Sequence, residues 1–229
     1  FSGSAALLCC ESHMAHPFDR YADITDVAAL KEATDRPLRK CVRINGLKTS
    51  VEKFAAYAAN KKWNLQPVPW CGEGFFIDRE DFSKALGRDV LHLLGHFYMQ
   101  EASSMLPAAL LQPRPGETIL DLCAAPGGKT AQLASLGAKV TAVDLAFERM
   151  KRVMTNLDRL HLTADIEVAD ILAWRPKEQA DAVLLDALHE QVGHPERVEE
   201  VARAHLLLAV VLAQVEELEH VGVPRLEVD

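Results

Sequence analysis

The sequence predicts an α/β protein in which a doubly wound parallel sheet follows a small N-terminal α+β unit. From Gly116 onward, apolar runs of strand length alternate with amphipathic helical segments over short links, the pattern of a parallel sheet. Before that point the strands are shorter and the alternation is missing. We therefore expect a tag or a disordered segment at 1–14, an α+β domain at 15–95 and the sheet domain at 96–229.

Composition limits the class of protein. The chain has 229 residues, of which 49% are hydrophobic and 25% charged, enough for a sizeable core. No apolar run reaches membrane-spanning length and the N-terminus lacks a basic segment, so we expect neither a membrane protein nor a signal peptide. The five cysteines form no C-x-x-C pair, which favours the reducing cytoplasm over a disulfide framework. No metal site is expected, since His92 and His96 have no further ligand beside them.

Charge is distributed unevenly along the chain. The net charge of −8 argues against a general nucleic-acid coat. Residues 31–62, however, carry nine basic side chains against three acidic ones. Such a segment can bind a polyanion locally. An ordinary solvated face is the alternative, and the charges alone do not separate the two.

Periodicity and proline positions predict the elements of the N-terminal unit. In order, these are a helical region within 15–39, a strand at 41–47, a capped helix at 49–62, at most an edge strand at 63–70 and a short strand at 74–78. An apolar run after Ser103 and Ser104, through Leu111, belongs to the bridge between the two parts. The limit on 63–70 comes from Pro67 and Pro69, which cannot donate to a sheet ladder.

The sheet domain is predicted from alternating strand and helix patterns. The strands are expected at 118–123, 139–144, 165–168 and 181–186, the helices at 128–136, 150–160 and 195–218, and a possible fifth strand at 223–228. One aspartate lies at or close to the carboxyl end of each of the four clear strands: Asp121, Asp144, Asp170 and Asp186. The carboxyl ends of parallel strands form the ligand-binding edge of such sheets. Helix capping is the alternative for any single one of these acids.

The turn after the first strand of the sheet domain predicts a nucleotide-like ligand. It puts unpaired backbone N–H groups and a positive helix end beside a small cavity. Asp144 follows about twenty residues later, where a ribose-binding acid belongs. The turn lacks G-x-G-x-x-G, which disfavours NAD, and Cys123 stands where the ATP-binding P-loop needs glycine. S-adenosylmethionine has no phosphates and carries a cation that nearby carboxylates favour, so it is the best fit.

Three motifs carry a resemblance to a known family. They are DLCAAPGGKT at 121–130, RINGLKT at 43–49 and FYMQEASSM at 97–105. Their combination resembles the Nol/Nop/Sun family of RNA cytosine-5 methyltransferases. PVPWC at 67–71 and the Gly74-Phe75 pair are similar to its bacterial ribosomal RNA branch. The resemblance covers about 37–187 and implies a Rossmann-like methyltransferase fold preceded by an RNA-recognition-like domain.

The resemblance also implies roles for individual residues. Asp144 would hold the cofactor ribose, Asp170 would lie beside the adenine, and Asp186 would be a catalytic residue that faces both the cofactor and the target base. S-adenosylmethionine would be lined by Cys123, Ala124, Ala125, Pro126, Gly127, Gly128 and Lys129. Ribosomal RNA would be the partner, contacted by Arg39, Lys40, Arg43 and Lys48. No membrane or metal partner is expected.

The family's catalytic cysteine has no counterpart in this sequence. The reaction needs a thiolate that attacks carbon 6 of cytosine, and no cysteine follows Cys123. Cys123 itself belongs to the cofactor turn and is interpreted as a core residue. Two explanations are compatible with an active enzyme: residues are missing after Ala187 or around Gly222, or the sequence is truncated. The third is a catalytically inactive relative that binds RNA and keeps the cofactor fold.

Overall fold

The computed structural model describes residues 18–19, 22–23, 25–80 and 85–186. Contacts divide the chain into two units, Phe1–Leu38 and Arg39–Asp229. The described part of the first unit contains helix α1 (Val27–Asp35), which begins after Asp26 because that carboxylate accepts hydrogen bonds from the Ala28 and Ala29 N–H groups. The predicted helical region is confirmed, while an α+β domain at 15–95 stays a prediction.

The second unit begins with a four-stranded antiparallel sheet. Its elements are β1 (Cys41–Ile44), α2 (Val51–Asn60), β2 (Trp63–Val68), β3 (Cys71–Arg79), α3 (Val90–Leu93) and β4 (Phe97–Met99). The strand order is β2-β3-β1-β4, so β2 lies at the edge, as its prolines require. Ser50 caps α2 by accepting from the Lys53 N–H, which confirms the predicted capped start. Strand β4 was not predicted, because three residues are too short a run for a periodicity to show.

A small apolar core holds this sheet together. Phe54 of α2 packs edge-to-face on Phe97 of β4, with ring centroids 5.4 Å apart. Alternate residues of the strands face the same core, including Val42, Ile44 and Ile77. The apolar positions of α2 and the strands therefore bury one common face.

A four-stranded parallel sheet forms the rest of the described chain. Its elements are β5 (Thr118–Asp121), α5 (Gly128–Ser135), β6 (Lys139–Asp144), α6 (Phe147–Leu160), β7 (Asp165–Val168) and β8 (Ala182–Leu184), preceded by α4 (Ala102–Leu111). The strand order is β7-β6-β5-β8 and all three pairings are parallel. This arrangement confirms the predicted doubly wound α/β fold. Strands β6 and β7 lie on one side of β5, and β8 pairs with β5 on the other side. The direction in which strands are added to the sheet therefore reverses at β5, and ligands bind at such a point in doubly wound sheets.

Some predictions fall on residues that are not described. They are the segment at 1–14, the helix at 195–218, the strand at 223–228 and the missing-residue explanation at Ala187. No helix in the described ranges is long and apolar enough to cross a membrane.

Helix α6 joins the parallel sheet to the antiparallel one. The Asn45 side chain donates to the carbonyl oxygens of Leu160 and Gly95, at 2.8 and 2.9 Å. The Lys48 ammonium donates to the carbonyl oxygens of Arg159 and Leu94, at 2.8 and 2.7 Å. Carbonyls in the last turn of a helix have no partner within the helix. Two side chains of the antiparallel sheet supply those partners.

Candidate functional site

The turn between β5 and α5 is closed by a glycine that no other residue can replace without strain. Gly127 has φ +96°, a conformation that L side chains rarely adopt, and α5 begins directly after it. A Cβ at this position would lie 3.1 Å from both Cα and Cγ1 of Val153 in α6. The Gly127 N–H donates to the Ala124 carbonyl at 2.7 Å, which tightens the turn. The backbone of the turn therefore lies against α6 with no room for a side chain.

Asp144, at the end of β6, is tied to this turn. Its side chain is 3% exposed and accepts hydrogen bonds from the Ala125 and Ala146 N–H groups, both at 3.2 Å. Arg149 forms an ion pair with it at 3.4 Å and donates to the Ala125 carbonyl at 3.1 Å. Helix α6 is capped by Ala146 without a side-chain bond, so Asp144 is not its N-cap. The carboxylate instead links the ends of two neighbouring strands.

Asp121, at the end of β5, is buried beneath the turn. Thr130 in the first turn of α5 donates its hydroxyl hydrogen to the Asp121 carboxylate at 2.6 Å. Burial raises the pKa of Asp121 to about 6, against the opposing effects of the Thr130 hydrogen bond and the Lys129 charge. At neutral pH the carboxylate is charged and buried below the turn between β5 and α5.

The raised pKa of Asp121 predicts a pH-dependent stability. Burial favours the protonated form of Asp121. The stability that this form contributes is fully present below the ordinary pKa of 3.8 and is lost as the pH rises through about 6. Asp121→Asn cannot ionise, so above pH 6 it should be more stable than the wild type by up to about 3 kcal/mol. Urea unfolding at pH 4 and pH 8 measures this. A variant that is no more stable than wild type at pH 8 contradicts the prediction.

Three of the four predicted strand-end acids converge on Cys123. Burial, followed by the charges of Asp144, Asp121 and Asp186, raises the pKa of the Cys123 thiol to about 11. The thiol is therefore protonated at neutral pH and is a poor nucleophile. Asp186 also forms an ion pair with Lys129 at 2.8 Å, at the N-terminus of α5.

The Asp170 carboxylate caps a turn, and no helix in the described residues begins after it, so the helix-capping alternative is not confirmed for this acid. Asp170 is exposed, and its carboxylate accepts from the Leu172 N–H at 3.0 Å, while its carbonyl accepts from the Trp174 N–H. Its place beside an adenine stays a prediction.

The four predicted RNA contacts differ in where they lie. Arg39 and Lys40 are exposed, and Arg39 pairs with Asp78 at 2.8 Å and lies 4.3 Å over the Phe76 ring. Arg43 is only 4% exposed and donates to Gln100 and Ser135, so it cannot reach an external polyanion. The Lys48 ammonium is bound to carbonyls beside α6. We therefore correct the prediction for Arg43, whose cation is bound inside the protein, while RNA contact by the partly exposed Lys48 stays a prediction.

Side chains outside the predicted set also support the turn. Arg149 binds both Asp144 and Ala125, and Asn156 donates to the Pro126 carbonyl at 3.0 Å. Gln100 lies in the 97–105 motif but had no role assigned from the sequence. The helical pattern of α6 did not predict the contacts of Arg149 and Asn156 with the turn, because their partners belong to another element.

The arrangement fits a nucleoside with a cationic tail. Asp144 lies beside the turn and is bound to it through the Ala125 N–H group. The charges of Asp121 and Asp186 lie close enough to influence each other. Carboxylates so placed favour a cation rather than a phosphate.

Two protein-family models match the chain. The model described as 16S rRNA methyltransferase RsmB/F matches residues 108–209. The model described as the N-terminal domain of 16S rRNA methyltransferase RsmF matches residues 19–102. Together they span both the antiparallel and the parallel sheet.

Curated proteins and solved structures are similar to this chain. Ribosomal RNA small subunit methyltransferase F of Vibrio cholerae is 40% identical over 174 residues, which cover 72% of this chain and 37% of that protein. Its Aeromonas hydrophila namesake is 41% identical over 179 residues, 73% of this chain and 38% of that protein. This chain thus spans well under half the length of these relatives. A methyltransferase homolog from Pyrococcus horikoshii superposes with a TM-score of 0.66 at 29% identity, covering 86% of this chain and 72% of that one.

Proposed function

The chain belongs to the Nol/Nop/Sun family of RNA methyltransferases, in the branch that includes RsmF, and on this premise we propose its reaction. The reaction is methylation of carbon 5 of a cytosine in small-subunit ribosomal RNA, in the cytoplasm. The cofactor is S-adenosylmethionine. The observation that carries the proposal is the buried Asp144 carboxylate bound to the glycine turn after β5.

The residues of the turn would hold the cofactor. Asp144 would accept hydrogen bonds from the two ribose hydroxyls, which charge-assisted pairing makes strong. Asp170 would lie beside the adenine, and the backbone from Cys123 to Lys129 would line the rest. Asp121 and Asp186 would face the positive charge. When bound, this cofactor supplies an electrophilic methyl group.

Asp186 would position the target base. Its carboxylate is about half exposed and paired with Lys129, so one oxygen remains accessible from the strand-end edge. A carboxylate accepts hydrogen bonds only, so it favours the amino group of cytosine over the carbonyl oxygen of uracil.

This chain's own cysteine is not assigned the nucleophilic role. Cys123 has its pKa raised to about 11 and belongs to the cofactor turn, and no cysteine follows it in the sequence. The proposal therefore gives this chain the cofactor contacts and the base contact. Arg39 and Lys40, which are exposed on the antiparallel sheet, would contact the RNA backbone.

Binding experiments test the proposal at two levels. Calorimetric titration with S-adenosylmethionine should show one site, and no binding would refute the cofactor assignment. In the presence of S-adenosylhomocysteine, an RNA oligonucleotide with cytosine at the target position should bind about tenfold more tightly than one with uracil. Asp186→Asn should abolish or reverse this preference, because its amide can donate to the uracil oxygen. An unchanged preference in Asp186→Asn would contradict the base contact.

A further inference from the structure

Gln100, directly after β4, uses every polar atom of its amide. It is 7% exposed, and its oxygen accepts from the Arg43 guanidinium at 3.0 Å. Its amide nitrogen donates to the Ser104 carbonyl at 3.0 Å and to the Gln132 side chain at 3.1 Å. Gln132 lies in α5, the helix whose N-terminus carries the cofactor turn. Gln100 thus links the antiparallel sheet to that helix.

Strand β4 also packs against Gly128, the first residue of α5. A Cβ on Gly128 would lie 3.3 Å from Cε1 of Tyr98 and 3.7 Å from both the amide carbon and the amide nitrogen of Gln100. Asn156 donates to the Pro126 carbonyl at 3.0 Å and lies 3.4 Å from the Tyr98 hydroxyl. Strand β4 and Gln100 therefore pack against the turn between β5 and α5.

The antiparallel sheet also holds the other end of α5. Arg43 of β1 donates to the Ser135 hydroxyl at 3.0 Å, and Ser135 is the last residue of the helix. Arg43 is buried, so its charge is expensive to leave without partners. Helix α5 is therefore fixed at its start, middle and end by three residues of one sheet.

From these contacts we propose that Gln100 is a positioning residue for the cofactor turn, acting through Gln132 and Gly128. The antiparallel sheet then has a second task besides RNA contact, because it sets where the N–H group of Gly128 points. A shift of less than 1 Å in such groups weakens a hydrogen bond strongly. This inference rests on the proposed binding of S-adenosylmethionine at the turn.

The test compares Gln100→Ala with Asn45→Ala. Both wild-type amides are buried, both make three hydrogen bonds, and both join the same sheet to a helix, but Asn45 contacts the far end of α6. Gln100→Ala should weaken S-adenosylhomocysteine binding about tenfold in calorimetry. Asn45→Ala should lower the thermal midpoint to a similar degree and change the affinity less than about twofold. Equal losses of affinity, or none in Gln100→Ala, would overturn the proposal.

A second variant and a second measurement keep the test decisive. Gln100→Glu retains an acceptor for Arg43 but cannot donate to Gln132, so it should weaken binding even where Gln100→Ala fails to fold. In the cofactor-free protein, the amide NMR signals of Gly127 and Gly128 should shift in Gln100→Glu and stay in place in Asn45→Ala. Unshifted signals in Gln100→Glu refute the positioning role. Failure of the wild type to bind refutes the proposed function instead, since the NMR comparison needs no ligand.

Discussion

Gly95→Ala is expected to destabilise the protein by about 3–5 kcal/mol. Gly95 has φ +75°, and a Cβ there would lie 2.0 Å from the carbonyl oxygen of Arg159 and 2.8 Å from its carbonyl carbon. Both are backbone atoms in the last turn of α6, so no rotamer change relieves the contact. The helix would have to move away from the antiparallel sheet. That movement would break the hydrogen bonds from Asn45 and Lys48 to the end of α6.

Gly116→Ala is the matched control for this variant. Gly116 also has a positive φ, +91°, but a Cβ there would meet nothing within 4 Å. Gly116→Ala should therefore lower the free energy of unfolding only by the cost of the positive φ, about 1–2 kcal/mol. Urea unfolding of both variants separates backbone strain from the collision with α6. Equal losses of stability in the two variants would mean that α6 moves away from Gly95 at no cost, and would contradict the close contact between Gly95 and Arg159.

The parallel sheet was predictable because its signals are local. A strand, a glycine turn and a helix lie within a dozen residues around Gly127, and the aspartates mark the strand ends directly. The spacing of Asp144 from the turn is fixed by one helix and one short loop. Such features depend on neighbours in the sequence, so periodicity and turn chemistry identify them.

The roles of the basic residues were not predictable in the same way. Arg43 and Lys48 stand in a basic segment, and the segment's charge gives no sign of which side chains face outward. The partners of Arg43 are 57 and 92 positions away, and Lys48 reaches a carbonyl 111 positions away. Only the packing of two sheets brings these groups together. The same holds for Gln100, whose partner in α5 is 32 positions distant.

The contrast between Arg43 and Arg39 shows what burial decides. Both are arginines of the same basic segment, four positions apart, yet Arg43 is buried and Arg39 is exposed. A buried guanidinium must be bound by acceptors within the protein. An exposed one loses little on binding a phosphate, because its pairing with Asp78 lies in water and is weak. RNA contact is therefore withdrawn for Arg43 and retained as a proposal for Arg39 and Lys40.

Asp144→Ala is expected to weaken S-adenosylmethionine binding by about a hundredfold. The variant removes the acceptor proposed for both ribose hydroxyls. It also removes the carboxylate that binds the Ala125 N–H and pairs with Arg149, so the turn loses a support as well. Two charge-assisted hydrogen bonds account for the expected loss. Calorimetry with S-adenosylmethionine measures it directly.

Asp170→Ala separates a ribose acid from a capping acid. Asp170 follows the neighbouring strand, but its carboxylate is exposed and accepts from a single backbone N–H group within its own turn. Its removal should cost less than about tenfold in affinity, since an adenine beside it would lose one contact only. Asp144→Asn keeps the shape of the side chain without its charge, and should fall between Asp144→Ala and the wild type. If Asp144→Ala binds as tightly as the wild type, the carboxylate serves only to link β6 to the turn, and the ribose assignment fails.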